Sequence, residues 1–166
     1  MVHITKKDLD KDNYYKDSGI NTTEEITCDE NLDYIKFKKS VITTKSIILG
    51  LGCGIEAGCG IEAGCGIKAG CGIKAGYGIK AGLSIICRGI LKFSYQLFAG
   101  TCTWRKTTET DLIVGCGRLE TDGIIVLGNL KETGNIPEEV EKIKIIDGKR
   151  YKLIDDALNV TGEKNG

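Results

Sequence analysis

The sequence predicts an all-β protein, folded as a short single-domain β-solenoid. Its central part, residues 53–88, is a six-residue internal repeat. The chain has 23 glycines but one proline among 166 residues, which is not the composition of a linker or of collagen. Isoleucine, valine and threonine are plentiful, and these residues favour strands. The length suits one domain with an ordinary core.

The repeat units read CGIEAG, CGIEAG, CGIKAG, CGIKAG, YGIKAG and LSIICR. Six is a multiple of two, so the repeat preserves strand alternation. This alternation predicts that Cys, Ile and Ala point inward and that Gly and Glu or Lys point outward. Six is a poor helical period, and each glycine would cost a helix about 1 kcal/mol relative to alanine. An isoleucine recurs in every unit, at Ile55, Ile61, Ile67, Ile73, Ile79 and Ile85.

The charges predict three hexads per coil, with glycines at the corners. Residues 18 apart would then stack about 4.8 Å apart along the axis, which places Glu56 beside Lys74 and Glu62 beside Lys80. Two hexads per coil would instead stack lysines on each other, which is unfavourable. We expect the corner glycines to adopt the positive φ angles that glycine tolerates.

The flanking segments must add turns, because two coils are too few to be stable alone. We expect a polar lead-in over 1–34, the solenoid with a downstream capping β region over 35–130, and a linker, a β-hairpin and a tail over 131–166. Strands are predicted upstream over 34–38 and 41–51, and downstream over 96–104, 111–116 and 123–128. Segments 142–146 and 150–154 flank Asp147-Gly148-Lys149, a hairpin signal. Pro137 marks a linker or a short helical turn, and 159–166 reads as a frayed tail.

The units resemble two groups of known proteins. Ile55-Glu56-Ala57-Gly58-Cys59-Gly60 resembles the hexapeptide repeat of left-handed β-helices, whereas the lysine units depart from its second position and leave handedness open. The GIEAG and GIKAG units, followed by Leu-Ser-Ile, Phe-Ala-Gly and Trp-Arg-Lys, resemble small hexapeptide-repeat proteins of prophages and mobile elements in low-GC bacteria. This second resemblance covers roughly residues 47–130 and implies no activity and no site residues.

Charge and hydropathy restrict the classes of partner. The 23 basic and 23 acidic residues balance to a net charge of zero, which argues against broad capture of nucleic acid or of anionic membranes. The first 34 residues lack the apolar region of a signal peptide, and no run approaches 18 apolar residues. We therefore expect a protein of the bacterial host cytoplasm, with no membrane partner and no direct nucleic-acid binding. The eight cysteines are expected to be thiols there.

A row of cysteines is the most obvious candidate site. Cys53, Cys59, Cys65 and Cys71 occur every six residues, and thiolates can bind zinc or an iron–sulfur cluster. The spacing is not the usual C-x2-C, and Tyr77 and Leu83 replace cysteine in the same register. A position that accepts Cys, Tyr and Leu behaves as a hydrophobic core slot. We expect inert core thiols and no cofactor; a metal, or a disulfide such as Cys53 with Cys71, stays an alternative.

Catalytic groups are scarce. The only histidine is His3, in the polar N-terminal segment, whereas hexapeptide acyltransferases use a histidine as general base between coils. The string from Gly58 to Gly64 resembles a dinucleotide-binding motif but lacks the strand-then-helix context. Glu56 and Glu62 have lysine partners and read as a solvated face. We expect no enzymatic activity and keep a degenerate acyltransferase-like enzyme as the third hypothesis for function.

A cluster of aromatic and basic residues downstream is the candidate protein-binding site: Arg88, Tyr95, Trp104, Arg105 and Lys106. Such residues, with Phe93 and Phe98, are expected either to cap the solenoid end or to form a binding surface, because Trp, Tyr and Arg dominate interface hot spots. The leading hypothesis is a non-enzymatic inhibitor of a host protein complex such as a defence nuclease, similar in action to anti-CRISPR proteins. The alternative is a structural protein that self-assembles through open solenoid ends or the C-terminal hairpin.

Overall fold

A computed structural model describes residues 1–134 and the backbone of strands 143–146 and 149–152. The chain divides into two compact units, Met1–Asn135 and Ile136–Gly166. The first unit is a parallel β-solenoid of about seven turns. Its residues 1–134 contain two 3-10 helices, Lys6–Asp8 and Glu109–Leu112, and no α-helix. The predicted all-β solenoid is confirmed.

Three parallel sheets form the three faces of the solenoid, and the chain passes from face B to face C to face A in each turn. Face A contains β1 (Val2–Ile4), β3 (Ile26–Cys28), β6 (Ile47–Ile48), β9 (Ile67–Ala69), β12 (Ile85–Cys87), β15 (Ile113–Cys116) and β18 (Asn129–Glu132). Face B contains β4 (Asp33–Phe37), β7 (Cys53–Ala57), β10 (Ile73–Ala75), β13 (Ile90–Phe93) and β16 (Arg118–Thr121). Face C contains β2 (Ile20–Thr22), β5 (Val41–Thr43), β8 (Ile61–Ala63), β11 (Ile79–Ala81), β14 (Gln96–Ala99) and β17 (Ile124–Leu127).

The strand register confirms three hexads per coil. Ile55 pairs with Ile73 on face B and Ile61 pairs with Ile79 on face C. The isoleucines and the alanines of the repeat are all buried and form continuous ladders inside the coil. Each buried isoleucine contributes about 1.5 to 3 kcal/mol, so these ladders are the main source of stability in the repeat.

The expected role of the glycines is wrong. Among the described residues, the glycines with positive φ are Gly52, Gly100, Gly128 and Gly134, and none of these belongs to the hexads. The glycine after each alanine is required for a different reason, which is close approach of the preceding turn. A Cβ placed on Gly58 would lie 2.5 Å from the carbonyl oxygen of Lys38, a distance that no side chain tolerates.

The boundaries of the solenoid also differ from expectation. Strands β1, β2 and β3 already pair within the sheets, so the first 34 residues are not merely a lead-in. Downstream, β13 to β18 form further turns of the solenoid instead of a cap, and Phe93 belongs to the buried core. The predicted strand 96–104 ends at Ala99 because the chain leaves the sheet at Gly100, whose φ is +83°. A loop over residues 100–112 follows and leads into β15.

The second unit contains the predicted β-hairpin. β19 (Ile143–Ile146) pairs antiparallel with β20 (Lys149–Lys152). The linker prediction at Pro137 and the predicted tail over 159–166 lie outside the described residues. Within the described residues, no helix is long and apolar enough to cross a membrane.

Candidate interaction surface

The structure does not bring the five predicted binding residues together. Arg88 lies at the corner between faces A and B, and Tyr95 lies at the corner between faces B and C. Trp104, Arg105 and Lys106 lie in loop 100–112, at the corner between faces C and A. In a solenoid, residues that are close in the sequence can lie on different corners of the coil. The predicted cluster is therefore spread over three edges of the coil.

Loop 100–112 is held by an internal ion pair that sequence analysis missed. The Arg105 guanidinium donates two hydrogen bonds to the Asp111 carboxylate, at 2.7 and 2.8 Å. The Thr108 backbone N–H and hydroxyl donate to the same carboxylate. The Arg105 guanidinium, followed by these Thr108 donors, holds the pKa of Asp111 well below its usual range. Arg105 therefore fixes the loop and is not a free binding group.

Trp104 is exposed over 57% of its surface. One edge of its ring rests near Gly82, since a Cβ on that glycine would lie 3.1 Å from Trp104 Cη2. The loop is tied to the same turn by the Cys102 N–H, which donates to the Gly82 carbonyl at 2.9 Å. Lys106 and Arg88 are exposed and form no ion pair with other described residues.

Two exposed tyrosines lie on successive turns at the corner between faces B and C. Tyr77 and Tyr95 are 65% and 62% exposed and occupy consecutive turns, joined by the Tyr95 N–H that donates to the Tyr77 carbonyl at 3.1 Å. Sequence analysis placed Tyr77 in a buried slot, which is wrong. The sequence itself argues against burial of Tyr77, because a core position that fits cysteine cannot take tyrosine without overpacking.

A shallow groove of about 210 Å³ runs along face C and is lined by Tyr95. It crosses strands β5, β8, β11 and β14, so it follows the solenoid axis. Gly60 and Gly78 line it on successive turns; a Cβ on Gly60 would meet only the Gly78 carbonyl oxygen, at 3.4 Å, whereas a Cβ on Gly78 would lie 2.6 Å from the Gln96 carbonyl oxygen. The residues that define it are Ser40, Gly60, Gly78, Lys80, Tyr95 and Phe98.

The two predicted charge pairs behave differently. Lys80 Nζ lies 3.0 Å from Glu62 Oε1 on face C, as the register prediction requires. Lys74 stacks beside Glu56 in the strand register, but its Nζ lies 4.1 Å from the centre of the Tyr34 ring. Partial burial raises the pKa of Tyr34 to about 12.

The cysteine row is not a uniform core column. Cys53 is fully buried as expected, whereas Cys59, Cys65 and Cys71 are only partly buried. They lie at corners between three-residue strands, where the inward–outward alternation is interrupted. None of the eight cysteines, all within residues 1–134, forms a disulfide. Within residues 1–134, no group of three or more His, Cys, Asp or Glu side chains is placed to hold a metal ion.

His3 lies on β1 and not in an extended tail. Its Nδ1 is 2.8 Å from Thr27 Oγ1, and its Nε2 is 2.9 Å from Asp29 Oδ1. This set has the residue types of a catalytic triad, but the His3 and Asp29 side chains are 44% and 52% exposed. A triad uses a buried carboxylate to orient the histidine. The arrangement is typical of a surface hydrogen-bond network.

The described surface thus offers a groove lined by Tyr95, together with a loop on another corner that the Arg105–Asp111 ion pair holds. No protein family, curated protein or solved structure matches the chain.

Proposed function

We propose that this protein acts by binding another protein, without catalysis, through face C and the adjoining Tyr77–Tyr95 corner. The observation that carries the proposal is the pair of exposed tyrosines on successive turns, one of which, Tyr95, lines an apolar groove. Tyrosine is enriched among interface hot spots, since it buries a large area at low conformational cost.

The partner that we propose is a protein complex of a bacterial host, such as a defence nuclease, which the bound solenoid inhibits in the manner of an anti-CRISPR protein. The resemblance of the repeat to small solenoid proteins of prophages and mobile elements supports this choice. The zero net charge favours a protein partner over nucleic acid. Inhibition by occupancy needs a stable surface and no catalytic group.

Self-assembly is the second candidate, and the last turn of the solenoid favours it. Leu119, Ile125 and Leu130 occupy the inward positions of β16, β17 and β18, yet they are partly or largely exposed. Their counterparts Leu91 and Leu97, one turn earlier, are fully buried. No described strand pairs with the outer edge of this last turn, and open edges invite pairing between chains.

A pull-down from a low-GC bacterial lysate, with partners identified by mass spectrometry and then purified, tests the proposal. The variant Tyr77→Ala/Tyr95→Ala removes the corner, and Arg88→Ala is the matched control on another corner. A stoichiometric partner that is retained by Arg88→Ala and lost by the double variant supports the assigned surface. A partner that the double variant retains contradicts it.

Two further measurements separate the alternatives. Recovery of the protein alone, as a discrete oligomer by light scattering, would replace inhibition with self-assembly. A thermal shift on adding acyl-CoA compounds would instead support the degenerate acyltransferase, because a ligand that binds only the folded state raises its stability.

A further inference from the structure

Face B shows what can occupy a pair of glycines in this solenoid. The Tyr34 ring lies over Gly54 and Gly72 of the next two turns; a Cβ on Gly54 would be 2.8 Å from Tyr34 Cε1. On its other side the ring meets Lys74, whose Nζ is 4.1 Å from the ring centre. The ring is thus held between a glycine backbone and an ammonium group, a favourable cation–π arrangement.

Face C repeats these elements one hexad further along the chain. Gly60 and Gly78 correspond to the two glycines of face B, and the pair Glu62–Lys80 corresponds to Glu56–Lys74. Other positions differ, since Ser40 stands where face B has Tyr34, and Ile42 and Phe98 stand where face B has Lys36 and Lys92.

With Ser40 in place of a tyrosine, the face C column is open at Gly60, whereas at Gly78 the Gln96 carbonyl oxygen lies 2.6 Å from the position of a Cβ. A Cβ on Gly60 would meet nothing nearer than the Gly78 carbonyl oxygen, at 3.4 Å. The open column is the groove of about 210 Å³. A closed apolar cavity of about 150 Å³ is enough to hold benzene, so the groove has room for one aromatic ring.

We propose that this groove is a slot for one aromatic side chain of a protein partner, which lies on Gly60 and Gly78 with the Lys80 ammonium over its ring. The inference rests on the proposed function and gives the chemistry that the partner must present. Tyr95 and Phe98 line the slot and supply further aromatic contacts. Lys80 can turn toward the ring at little cost, because its ion pair with Glu62 is exposed and such pairs contribute little.

An NMR titration of the full-length ¹⁵N-labelled protein tests the slot directly. The probes are N-acetyl-L-tyrosinamide and N-acetyl-L-tryptophanamide, with N-acetyl-L-leucinamide as the non-aromatic control. We expect saturable shifts of the Gly60 and Gly78 amides with both aromatic probes and weaker binding of the leucine probe. No saturable aromatic binding at these amides, or equal affinity for the leucine probe, overturns the proposal.

Two matched variants sharpen the titration. Gly60→Ala fills the floor of the slot without a clash, and Gly66→Ala is its control on face A, where the nearest atom to the new Cβ is also a carbonyl oxygen at 3.4 Å. We expect Gly60→Ala to abolish aromatic binding and Gly66→Ala to preserve it. Lys80→Gln should weaken the aromatic probes about two- to fivefold and leave the leucine probe unchanged. Equal binding by both glycine variants contradicts the assignment.

A variant on face B provides an internal positive test. Tyr34→Ser recreates there the vacancy of face C, and p-cresol, the side chain that was removed, should produce saturable shifts at Gly54 and Gly72. Absence of these shifts in a folded variant would show that a glycine pair does not hold an aromatic ring.

The slot and the broader function fail in different ways. If the purified partner is lost with Tyr77→Ala/Tyr95→Ala but binds Gly60→Ala with unchanged affinity, the binding function stands and the slot is wrong. If the protein is instead a dimer that Gly60→Ala dissociates, a tyrosine of a second copy fills the slot and the hetero-partner proposal is overturned.

Discussion

Adjacent isoleucines on β12 allow a direct measurement of the solenoid register. Ile85 is fully buried inside the coil, whereas Ile86 points outward and is 39% exposed. Ile85→Ala removes three carbon groups at about 0.8 kcal/mol each, or about 2.4 kcal/mol of transfer free energy. The neighbouring rungs are backbone-paired and cannot collapse fully into the space, so a cavity term raises the loss to about 3 to 5 kcal/mol.

Ile86→Ala is the matched control, since it makes the same chemical change one residue away. With 39% of Ile86 exposed, the transfer loss falls to at most about 1.5 kcal/mol, and water fills the vacated space without a cavity term. Urea denaturation followed by circular dichroism measures both free energies of unfolding, provided that the m values agree. A one-residue slip of β12 would exchange the two faces. Equal losses, or a larger loss for Ile86→Ala, would refute the register.

Three further outcomes follow from the structure. Gly64→Ala should lower the thermal midpoint strongly, because its Cβ would collide with a backbone carbonyl of the preceding turn; an unchanged midpoint contradicts the close approach. Arg105→Ala should destabilise the protein at pH 7, with the difference from wild type shrinking as pH falls below about 4, because Asp111 has a depressed folded pKa, and its stabilisation is complete above the unfolded pKa and is lost as pH falls through the folded pKa. Midpoints measured against pH test this sign. Iodoacetamide at pH 8 should modify the partly exposed Cys59 before Cys87, whose pKa burial raises to about 12; peptide mapping that shows equal rates would contradict the difference.

The fold was predictable because the spacing and charges of the repeat determine the strand period and the number of strands per turn. An isoleucine every six residues indicates the strand period, and the order of two Glu units followed by three Lys units favours three hexads per coil. The pairings of Glu62 with Lys80 and Ile61 with Ile79 confirm both. The flanks were harder to predict, because β1 to β3 lie in a polar stretch whose few apolar residues do not show a regular period.

The errors at the corners have one physical origin. Each hexad after the first supplies a strand of only three residues, and the other three make a corner, so inward–outward alternation does not continue through the cysteine position; in the first hexad, Cys53 lies within the five-residue strand β7. Cys59 and Tyr77 therefore face partly or largely outward, although they keep the register of the buried Cys53. Alternation is a reliable guide inside a strand and fails where the chain turns.

The candidate site was the least predictable part, because neighbours in the sequence need not share a surface. Tyr95 and Trp104 lie nine positions apart but on different corners, while Tyr77 and Tyr95 lie 18 apart and share a corner on successive turns. The ion pair between Arg105 and Asp111 could not be predicted either, because it depends on the conformation of loop 100–112. With the 18-residue period applied to the whole chain, the tyrosine pair follows from the sequence, whereas the loop contacts do not.

Comparison of equivalent positions on different faces explains how a monotonous repeat acquires a specific surface. Faces B and C share their glycine pairs and the central pairs Glu56–Lys74 and Glu62–Lys80. They differ at the residue one turn before the first glycine, where Tyr34 fills its column and Ser40 does not. The side chain at the start of a column therefore helps to determine whether the column is closed from within or left open to a partner. Since the glycines after alanine are constrained by backbone contact, changes of specificity should arise at such column-starting positions and at the corners, where a new side chain leaves the isoleucine ladder intact.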